Sequence, residues 1–300
     1  MTATTNCMTQ FDRQLDVFTH GASESEVSVA IGDMSQGEIL SFEGHLNGPY
    51  CDRAHTLPAS FQVSQCLCDR NVSNIVSTLI TDPCYWTPQL PFLYKLELEL
   101  QLADGSAETW NQTVGLRRWE IVGKNLMRER RRIVLRAVVV DSIEMEDLST
   151  AVVSELALVV TDPHPEFLER ASELGVSLVV DLRGYDGDIT AKLLSCAWQP
   201  SVALVIFDAS LDGPFYQPLA VRIACIADSV ECLDEVSWAD VVAVEIDETK
   251  RPPEWAATCE KPVIAIRRCG AYAELAEARR KCDQLQADLA PQFDLAGYIV

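Results

Sequence analysis

Apolar and polar residues alternate with a period of two along much of the chain between about residue 25 and residue 122. In the clearest case, residues 93–100, Tyr94, Leu96, Leu98 and Leu100 are separated by mostly charged positions. Because successive side chains of a strand point to opposite faces, this pattern predicts strands with one packed face and one solvated face. Strands of this kind are predicted at residues 27–33, 37–48, 56–66, 74–81, 93–102, 107–114 and 117–123. About seven such short strands, separated by turns, are typical of a β-sandwich.

After about residue 130 the pattern changes to short, nearly continuous apolar runs separated by segments with helical spacing. The runs lie at residues 132–140, 155–162, 175–184, 201–210, 219–228, 240–247, 262–270 and 296–300. Strands that are apolar on both faces and alternate with helices are typical of a parallel sheet, and eight of them predict a closed (β/α)₈ barrel. An open doubly wound sheet is the alternative, although the chain has no Gly-rich phosphate turn to favour its nucleotide-binding form.

The two patterns divide the chain into three parts. Residues 1–22 are predicted to be a flexible N-terminal segment, residues 23–122 the β-sandwich, and residues 123–300 a compact TIM-like barrel. With 300 residues and an apolar content of 48%, the chain can bury two cores of moderate size. Barrels of this class typically use about 250 residues. The predicted barrel is shorter, so little length remains for the loops that build binding sites.

Composition argues against several classes of function. The formal net charge of −21 opposes a nucleic-acid partner, since two polyanions repel each other. The apolar runs are too short for a membrane span, and the first residues lack the pattern of a secretory signal. The 11 cysteines lie mostly in apolar segments, which favours reduced core residues and a cytoplasmic location. The four His residues are dispersed, so neither a metal site nor a cofactor is predicted.

One basic run stands out in this acidic chain, at residues 128–132, where four arginines surround Glu129. Read alone, the run is typical of a patch that binds nucleic acid or lipid. Its position directly before the first barrel strand favours a solvated hairpin turn instead.

Several short motifs occur in a fixed order along the chain. Gly115-Leu116-Arg117 ends the sandwich pattern, and residues 162–181 carry Asp-Pro-His-Pro-Glu before a predicted helix and the third barrel strand. Trp-Gln-Pro-Ser-Val at 198–202 precedes the fourth strand, and Lys-Pro-Val-Ile at 261–264 begins the seventh. Together these motifs resemble glycoside hydrolase family 2, which includes β-galactosidases and β-glucuronidases. The resemblance covers residues from about 80 to 300 and implies an immunoglobulin-like domain followed by a TIM barrel.

The resemblance also implies a chemistry. Enzymes of this family hydrolyse glycosides with retention, using a general-acid Glu at the end of the fourth strand and a nucleophilic Glu at the end of the seventh. Counted from the matching motifs, these two positions fall on Ser210 and Arg267. A guanidinium group stays protonated and cannot act as a nucleophile. The leading hypothesis is therefore a catalytically inactive protein of this fold, with a carbohydrate-binding or interaction role.

Polar residues at other predicted strand ends leave an alternative open. Asp181, Asp208, Glu245 and Arg267 are candidate substrate-binding residues at the carboxyl ends of the barrel strands, where active sites of this fold lie. In a divergent, active glycosidase, Asp208 and Glu245 would form the acid pair and Arg267 would hold an anion or a sugar hydroxyl. The simpler interpretation is that strand ends are polar because they meet solvent, and that Arg267 pairs with a neighbouring carboxylate. A third hypothesis is a structural or protein-interaction module, and the sequence predicts no particular sugar, protein partner or oligomeric state.

Overall fold

The computed structural model describes residues 15–33, 39–65, 75–140, 145, 147–208, 222–227, 229, 237–247, 251–268, 272 and 274–300. These residues form three β-sheets and five α-helices. None of the described helices is both long enough and apolar enough to cross a membrane.

The first sheet has seven antiparallel strands in the spatial order β1-β2-β5-β4-β3-β6-β7. They are β1 (Leu15–His20), β2 (Glu26–Asp33), β3 (Ile39–Tyr50), β4 (Ala59–Gln65), β5 (Ile75–Thr81), β6 (Leu93–Leu102) and β7 (Ala107–Val114). Strand β4 pairs with β3 from Ala59 to Val63 and with β5 at Ser64 and Gln65, so the sheet curls into two halves. Fully buried side chains of both halves, such as Leu46 and Ile80, share one core. The predicted sandwich-like fold is confirmed.

The N-terminal strand differs from the prediction. Leu15–His20 lies within the segment predicted to be flexible, yet it pairs with β2 from Leu15 opposite Asp33 to His20 opposite Ser28. Val17 on this strand is buried in the sandwich core. The alternation of apolar and polar residues covers only this one short strand at the edge of the sheet, so it does not stand out in the sequence.

A small antiparallel sheet follows the sandwich and consists of β8 (Trp119–Val122), β9 (Asn125–Arg128) and β10 (Arg131–Ile133). The prediction that residues 117–123 form the last sandwich strand is wrong, because β8 pairs with β9 in this second sheet. Apolar side chains of the small sheet, led by Leu126, pack into the core inside the barrel. The basic run forms the turn between β9 and β10, as predicted, with Glu129 and Arg130 at φ of 48° and 62°.

The third sheet is a closed barrel of eight parallel strands, in which β11 pairs with both β12 and β18. The strands are β11 (Leu135–Val139), β12 (Ala157–Val160), β13 (Leu178–Asp181), β14 (Val202–Phe207), β15 (Arg222–Ile226), β16 (Val241–Glu245), β17 (Val263–Ile266) and β18 (Gly297–Ile299). The described helices are α1 (Asp147–Ser154), α2 (Pro165–Leu174), α3 (Ile189–Ala197), α4 (Trp255–Thr258) and α5 (Leu275–Leu289). Every barrel strand lies inside a predicted run, so the (β/α)₈ prediction is confirmed.

Successive residues of a barrel strand point alternately inward and outward. In β12, Ala157 and Val159 belong to the core inside the barrel, whereas Leu158 and Val160 belong to the layer between the strands and the helices. Because both sides are apolar, the strands appear in the sequence as continuous apolar runs. The same alternation decides which polar side chains face the mouth of the barrel at the strand ends.

The described cysteines are free thiols, and three of them, Cys196, Cys225 and Cys282, are buried. Burial raises the pKa of the Cys282 thiol to about 12, so it stays protonated at neutral pH. These three residues are core side chains, in agreement with the sequence prediction for cysteines in apolar segments.

The sandwich and the barrel are in direct contact. Trp86, which is 1% exposed, donates a hydrogen bond from Nε1 to the carbonyl oxygen of Ser172 in α2 at 2.8 Å. Gly115 lies against the ring of Pro200, where an added Cβ would come within 2.5 Å of two ring carbons. A glycine is therefore required at this junction by close packing.

Candidate functional site

The carboxyl ends of the parallel strands form the barrel mouth, and two acidic candidates face it. Asp181 ends β13 two residues after Val179, whose side chain is inside the barrel, so the two share the inward register. Glu245 ends β16 in the same relation to Ala243. The structure thus brings two of the predicted site residues, Asp181 and Glu245, to the same end of the barrel.

Two arginines directly follow the seventh barrel strand, β17, and their side chains point to opposite sides of it. Ile266 is inside the barrel, so Arg267 has the outward register and Arg268 the inward one. The backbone N–H of Arg267 donates to the carbonyl oxygen of Ile299 at 2.8 Å, and its buried Nε has no hydrogen-bond partner among the described residues. The pairing of Arg267 with a neighbouring carboxylate stays a prediction, and among the described residues it is Arg268 that lies beside the two acids.

Arg183 joins the two carboxylates. Its Nε and Nη2 donate to Oδ1 and Oδ2 of Asp181 at 2.8 and 2.5 Å, and its Nη1 donates to Oε1 of Glu245 at 2.6 Å. Arg268 approaches the same acids, with its Nη2 3.7 Å from Asp181 Oδ2 and its Nε 3.6 Å from Glu245 Oε1. Asp181 and Glu245 belong to the third and sixth strands of the barrel, so Arg183 reaches across the mouth. We call these four residues the mouth network.

The mouth network is buried at its centre and exposed at its rim. The side chains of Asp181 and Arg183 are 9% and 13% exposed, whereas those of Glu245 and Arg268 are 44% and 60% exposed. Hydrogen bonds with Asp181, and then with Glu245, raise the pKa of Arg183 above its ordinary value, although burial acts in the opposite direction. Arg183 is therefore a fixed cation, and two carboxylates compensate two guanidinium groups.

Retaining glycosidases use two carboxyl groups with separate roles, one as proton donor and one as nucleophile. In the mouth network, Asp181 and Glu245 both accept hydrogen bonds from a single guanidinium group. This arrangement holds the two acids together through Arg183 and compensates their charge. It is suited to fixing the shape of the mouth or to presenting Arg268 to an anion.

Asp208 stands apart from the mouth network. It follows Phe207 at the end of β14, its side chain is exposed, and no described residue forms a salt bridge with it. The pairing of Asp208 with Glu245 therefore stays a prediction, while the observed partners of Glu245 are Arg183 and Arg268. Ser210, the position matched to the family's general acid, lies outside the described residues.

Arg183 and Arg268 were not among the predicted site residues. A usable signal was present, because Arg183 is two residues after Asp181 and Arg268 is two residues after Ile266. Two residues is the spacing that keeps a side chain on the same side of a strand. Within the described ranges, no group of His, Cys, Asp and Glu side chains is placed to hold a metal ion.

A curled antiparallel sheet followed by an eight-stranded parallel barrel is a fold that this chain shares with solved glycosidases, among them a family 2 β-galacturonidase. The resemblance inferred from the motifs is confirmed at the level of the fold. No protein-family model matches the chain, and no curated protein matches it.

Solved structures do match, over nearly the whole chain. A β-D-glucuronidase of Dictyoglomus thermophilum is 14% identical, with a TM-score of 0.58, and the match covers 95% of this chain and 61% of that one. A β-glucuronidase of Ruminococcus gnavus is 11% identical, with a TM-score of 0.64 and coverage of 95% and 60%. A family 2 β-galacturonidase of Eisenbergiella tayi, bound to galacturonate, is 14% identical, with a TM-score of 0.57 and coverage of 95% and 64%. The chain thus spans roughly three fifths of the length of these enzymes, and the likeness is one of fold.

Proposed function

We propose that this chain has the fold of a family 2 glycosidase without its hydrolytic reaction, and that it acts by binding a carbohydrate or a protein partner. One observation carries the proposal: Arg267 and Arg268 directly follow the seventh barrel strand, where the resemblance places the nucleophilic carboxylate. Whichever of the two is matched to the nucleophile, the side chain is a guanidinium group, which cannot attack an anomeric carbon.

The mouth network supports this proposal. A sugar ring entering the barrel mouth would meet the hydrogen bonds that Arg183 makes to Asp181 and Glu245. Breaking these bonds would leave the largely buried charge of Asp181 unpaired, which costs several kcal/mol by order of magnitude. The rim is different, because Arg268 is 60% exposed and can reorient towards a ligand.

Acidic sugars are the carbohydrate ligands to examine first. One of the solved enzymes with this fold holds galacturonate, and another, from Ruminococcus gnavus, holds an N1-substituted uronic isofagomine. In the present chain, the exposed guanidinium of Arg268 is a suitable partner for a sugar carboxylate, since arginine binds carboxylates through two parallel hydrogen bonds.

The cytoplasmic location inferred from the cysteine content of the sequence stays a prediction.

The proposal is tested by incubating the purified chain with 4-nitrophenyl β-D-glucuronide, β-D-galacturonide and β-D-galactoside. We expect nitrophenol release no faster than in a protein-free blank. Asp208→Ala and Glu245→Gln variants serve as controls, since they remove the acid pair of the active alternative. Turnover by the wild-type chain that either substitution abolishes would contradict the proposal and establish a divergent glycosidase.

A glycan array then decides between the two kinds of partner. Signal on uronic-acid glycans that is lost in Arg268→Gln assigns the role to carbohydrate binding at the mouth. If the chain binds no glycan on the array, the proposal is narrowed to binding of a protein partner.

A further inference from the structure

A cavity lies at the end of the barrel opposite the mouth. It has a volume of about 220 Å³ and is bounded by the β9–β10 hairpin, the first residues of β11 and β12, and a loop of the sandwich. Leu135 and Ala157, which begin two barrel strands, are part of its wall. The cavity is thus at the amino-terminal end of the barrel, where the sandwich, the small sheet and the barrel meet.

The wall of this cavity is strongly basic. Four arginines line it, Arg53, Arg128, Arg136 and Arg279, and Glu155 is the acid among its lining residues. The whole chain has a formal net charge of −21, so a concentration of four guanidinium groups is a marked local reversal of sign. Such a reversal indicates a site for an anion.

Three of the arginines have partners for their guanidinium groups: two lie beside carboxylates, and one donates to backbone carbonyl groups. Arg136 Nε and Arg279 Nε lie 2.8 and 3.2 Å from the carboxylate of Asp283. Arg279 Nη1 also lies 3.5 Å from Oε2 of Glu155, so two acids face these two cations. Arg53 has no carboxylate partner among the described residues. Its Nη1 donates to the carbonyl oxygen of Pro88 at 2.7 Å, and its Nη2 donates to that of Leu174 at 2.6 Å. Positive charge on the wall therefore exceeds the negative charge that faces it.

Arg128 is the fourth arginine, and it is half-buried. Its backbone belongs to strand β9, but its side chain forms no hydrogen bond or salt bridge with a described residue. Burial lowers the pKa of Arg128, with only the neighbouring charge of Glu129 acting the other way. Trp119 lies directly opposite Arg128 across β8 and β9, and its buried Nε1 also has no partner among the described residues. A partly desolvated guanidinium group without a counter-ion is unfavourable, and an anion in the cavity would remove that cost.

We propose that this cavity binds a small tetrahedral oxyanion, either free phosphate or sulfate or the terminal group of a phosphate monoester, with Arg128 as its principal ligand. The planar fork of a guanidinium group matches two oxygens of such an ion. Ligand pockets for drug-sized molecules begin at about 300 Å³, so a volume of about 220 Å³ suits a small ion. Ser177 adds a hydroxyl donor to the wall. The site is remote from the barrel mouth and does not depend on the function proposed there.

The test compares thermal unfolding of the full chain in phosphate and in chloride at equal ionic strength. Phosphate at about ten times its dissociation constant is expected to raise the midpoint by about 2–4 °C. Arg128→Gln is expected to lose this shift. Arg131→Gln is the matched control, because Arg131 lies opposite Arg128 across β9 and β10, is exposed, and does not line the cavity.

Direct calorimetric titration separates the sources of the anion. Inorganic phosphate, sulfate and phenyl phosphate are titrated in turn, with acetate as a planar carboxylate for comparison. Phenyl phosphate that binds as well as phosphate assigns the site to a monoester, whereas binding of the inorganic ions alone assigns it to a free ion. Arg128→Lys keeps the positive charge but loses the planar pair of N–H donors. Its affinity for phosphate is expected to be roughly 10- to 100-fold weaker.

Several results would overturn the proposal. They are the absence of binding by the wild-type chain, an equal midpoint shift in chloride, and a shift retained in Arg128→Gln. If Arg128→Gln does not fold, the titration of Arg128→Lys decides, and an affinity equal to that of the wild-type chain then refutes the site.

Discussion

At the scale of single residues, Arg117 shows how a family motif is used for structure. It is 6% exposed, and its Nη2 donates to the carbonyl oxygen of Ala197 at 2.6 Å, while its Nη1 donates to that of Val202. Burial, and to a smaller extent the charge of Arg222, lowers the pKa of Arg117 to about 9, so it is still a cation at neutral pH. The last carbonyl groups of a helix carry partial negative charge, and Ala197 ends α3. Arg117 therefore joins the sandwich to a helix end and the start of a barrel strand.

Replacing Arg117 with methionine is expected to lower the free energy of unfolding by about 2–4 kcal/mol, because two buried carbonyl groups lose their donor. Removing a desolvated charge offsets part of this loss. Urea denaturation followed by circular dichroism measures the change. Arg130→Met is the control: Arg130 is 68% exposed in a salt bridge with Glu24, and its loss should cost less than about 1 kcal/mol. Equal effects of the two substitutions would contradict a special role for Arg117.

The residue scale also shows where sequence reasoning is weakest. Asp181 and Glu245 were predicted as site residues because polar residues at the ends of buried strands face the barrel mouth, and the structure places both there. Arg267 was selected where Arg268 is the residue that faces the mouth. A shift of one residue moves a side chain to the other side of a strand. An apolar run fixes the strand end only to within a residue or two, so the direction of Arg267 could not be predicted.

At the scale of elements, the barrel strands were predictable because each one is apolar on both sides. β14, for example, is buried at every position from Val202 to Phe207. Strand β8 was assigned to the wrong sheet because it has four residues and one apolar side. Such a strand fits the edge of a sandwich as well as it fits a small sheet. Its partner is decided by the contact of Trp119 and Ile121 with the core inside the barrel, and nothing in the local pattern indicates that contact.

The small sheet closes the amino-terminal end of the barrel, and Leu126 is its main apolar contact. Leu126 is 2% exposed and belongs to the core inside the barrel. Leu126→Ala is expected to destabilise the chain by about 2–5 kcal/mol through loss of burial and creation of a cavity. Val122→Ala, on the same sheet but 56% exposed, is the matched control and should change stability by less than about 0.5 kcal/mol. The midpoint of urea unfolding gives both values, and a small effect of Leu126→Ala would show that the sheet does not seal the barrel.

At the scale of the whole molecule, the sandwich supplies hydrogen-bond donors to the carbonyl groups at the carboxyl ends of two barrel helices. Neither α2 nor α3 has a basic residue in its last turn. Three side chains that precede the barrel donate to free carbonyl groups there: Trp86 to Ser172, Arg53 to Leu174 and Arg117 to Ala197. Helix ends leave such carbonyls unsatisfied unless another group reaches them. The two units therefore share hydrogen bonds that neither could form alone.

This sharing predicts that the chain unfolds as one unit. Far-ultraviolet circular dichroism and tryptophan fluorescence should give coincident transitions in urea, because loss of the sandwich exposes the helix ends of the barrel. The fragment of residues 119–300 keeps β8 but lacks Trp86, Arg53 and Arg117, so several carbonyl groups at its helix ends lose their donors. At about 1–1.5 kcal/mol for each lost hydrogen bond, its thermal midpoint should fall by about 10 °C or more relative to the full chain. Two separate transitions in the full chain, or a fragment that unfolds at the same temperature as the full chain, would mean that the barrel is stable without the sandwich.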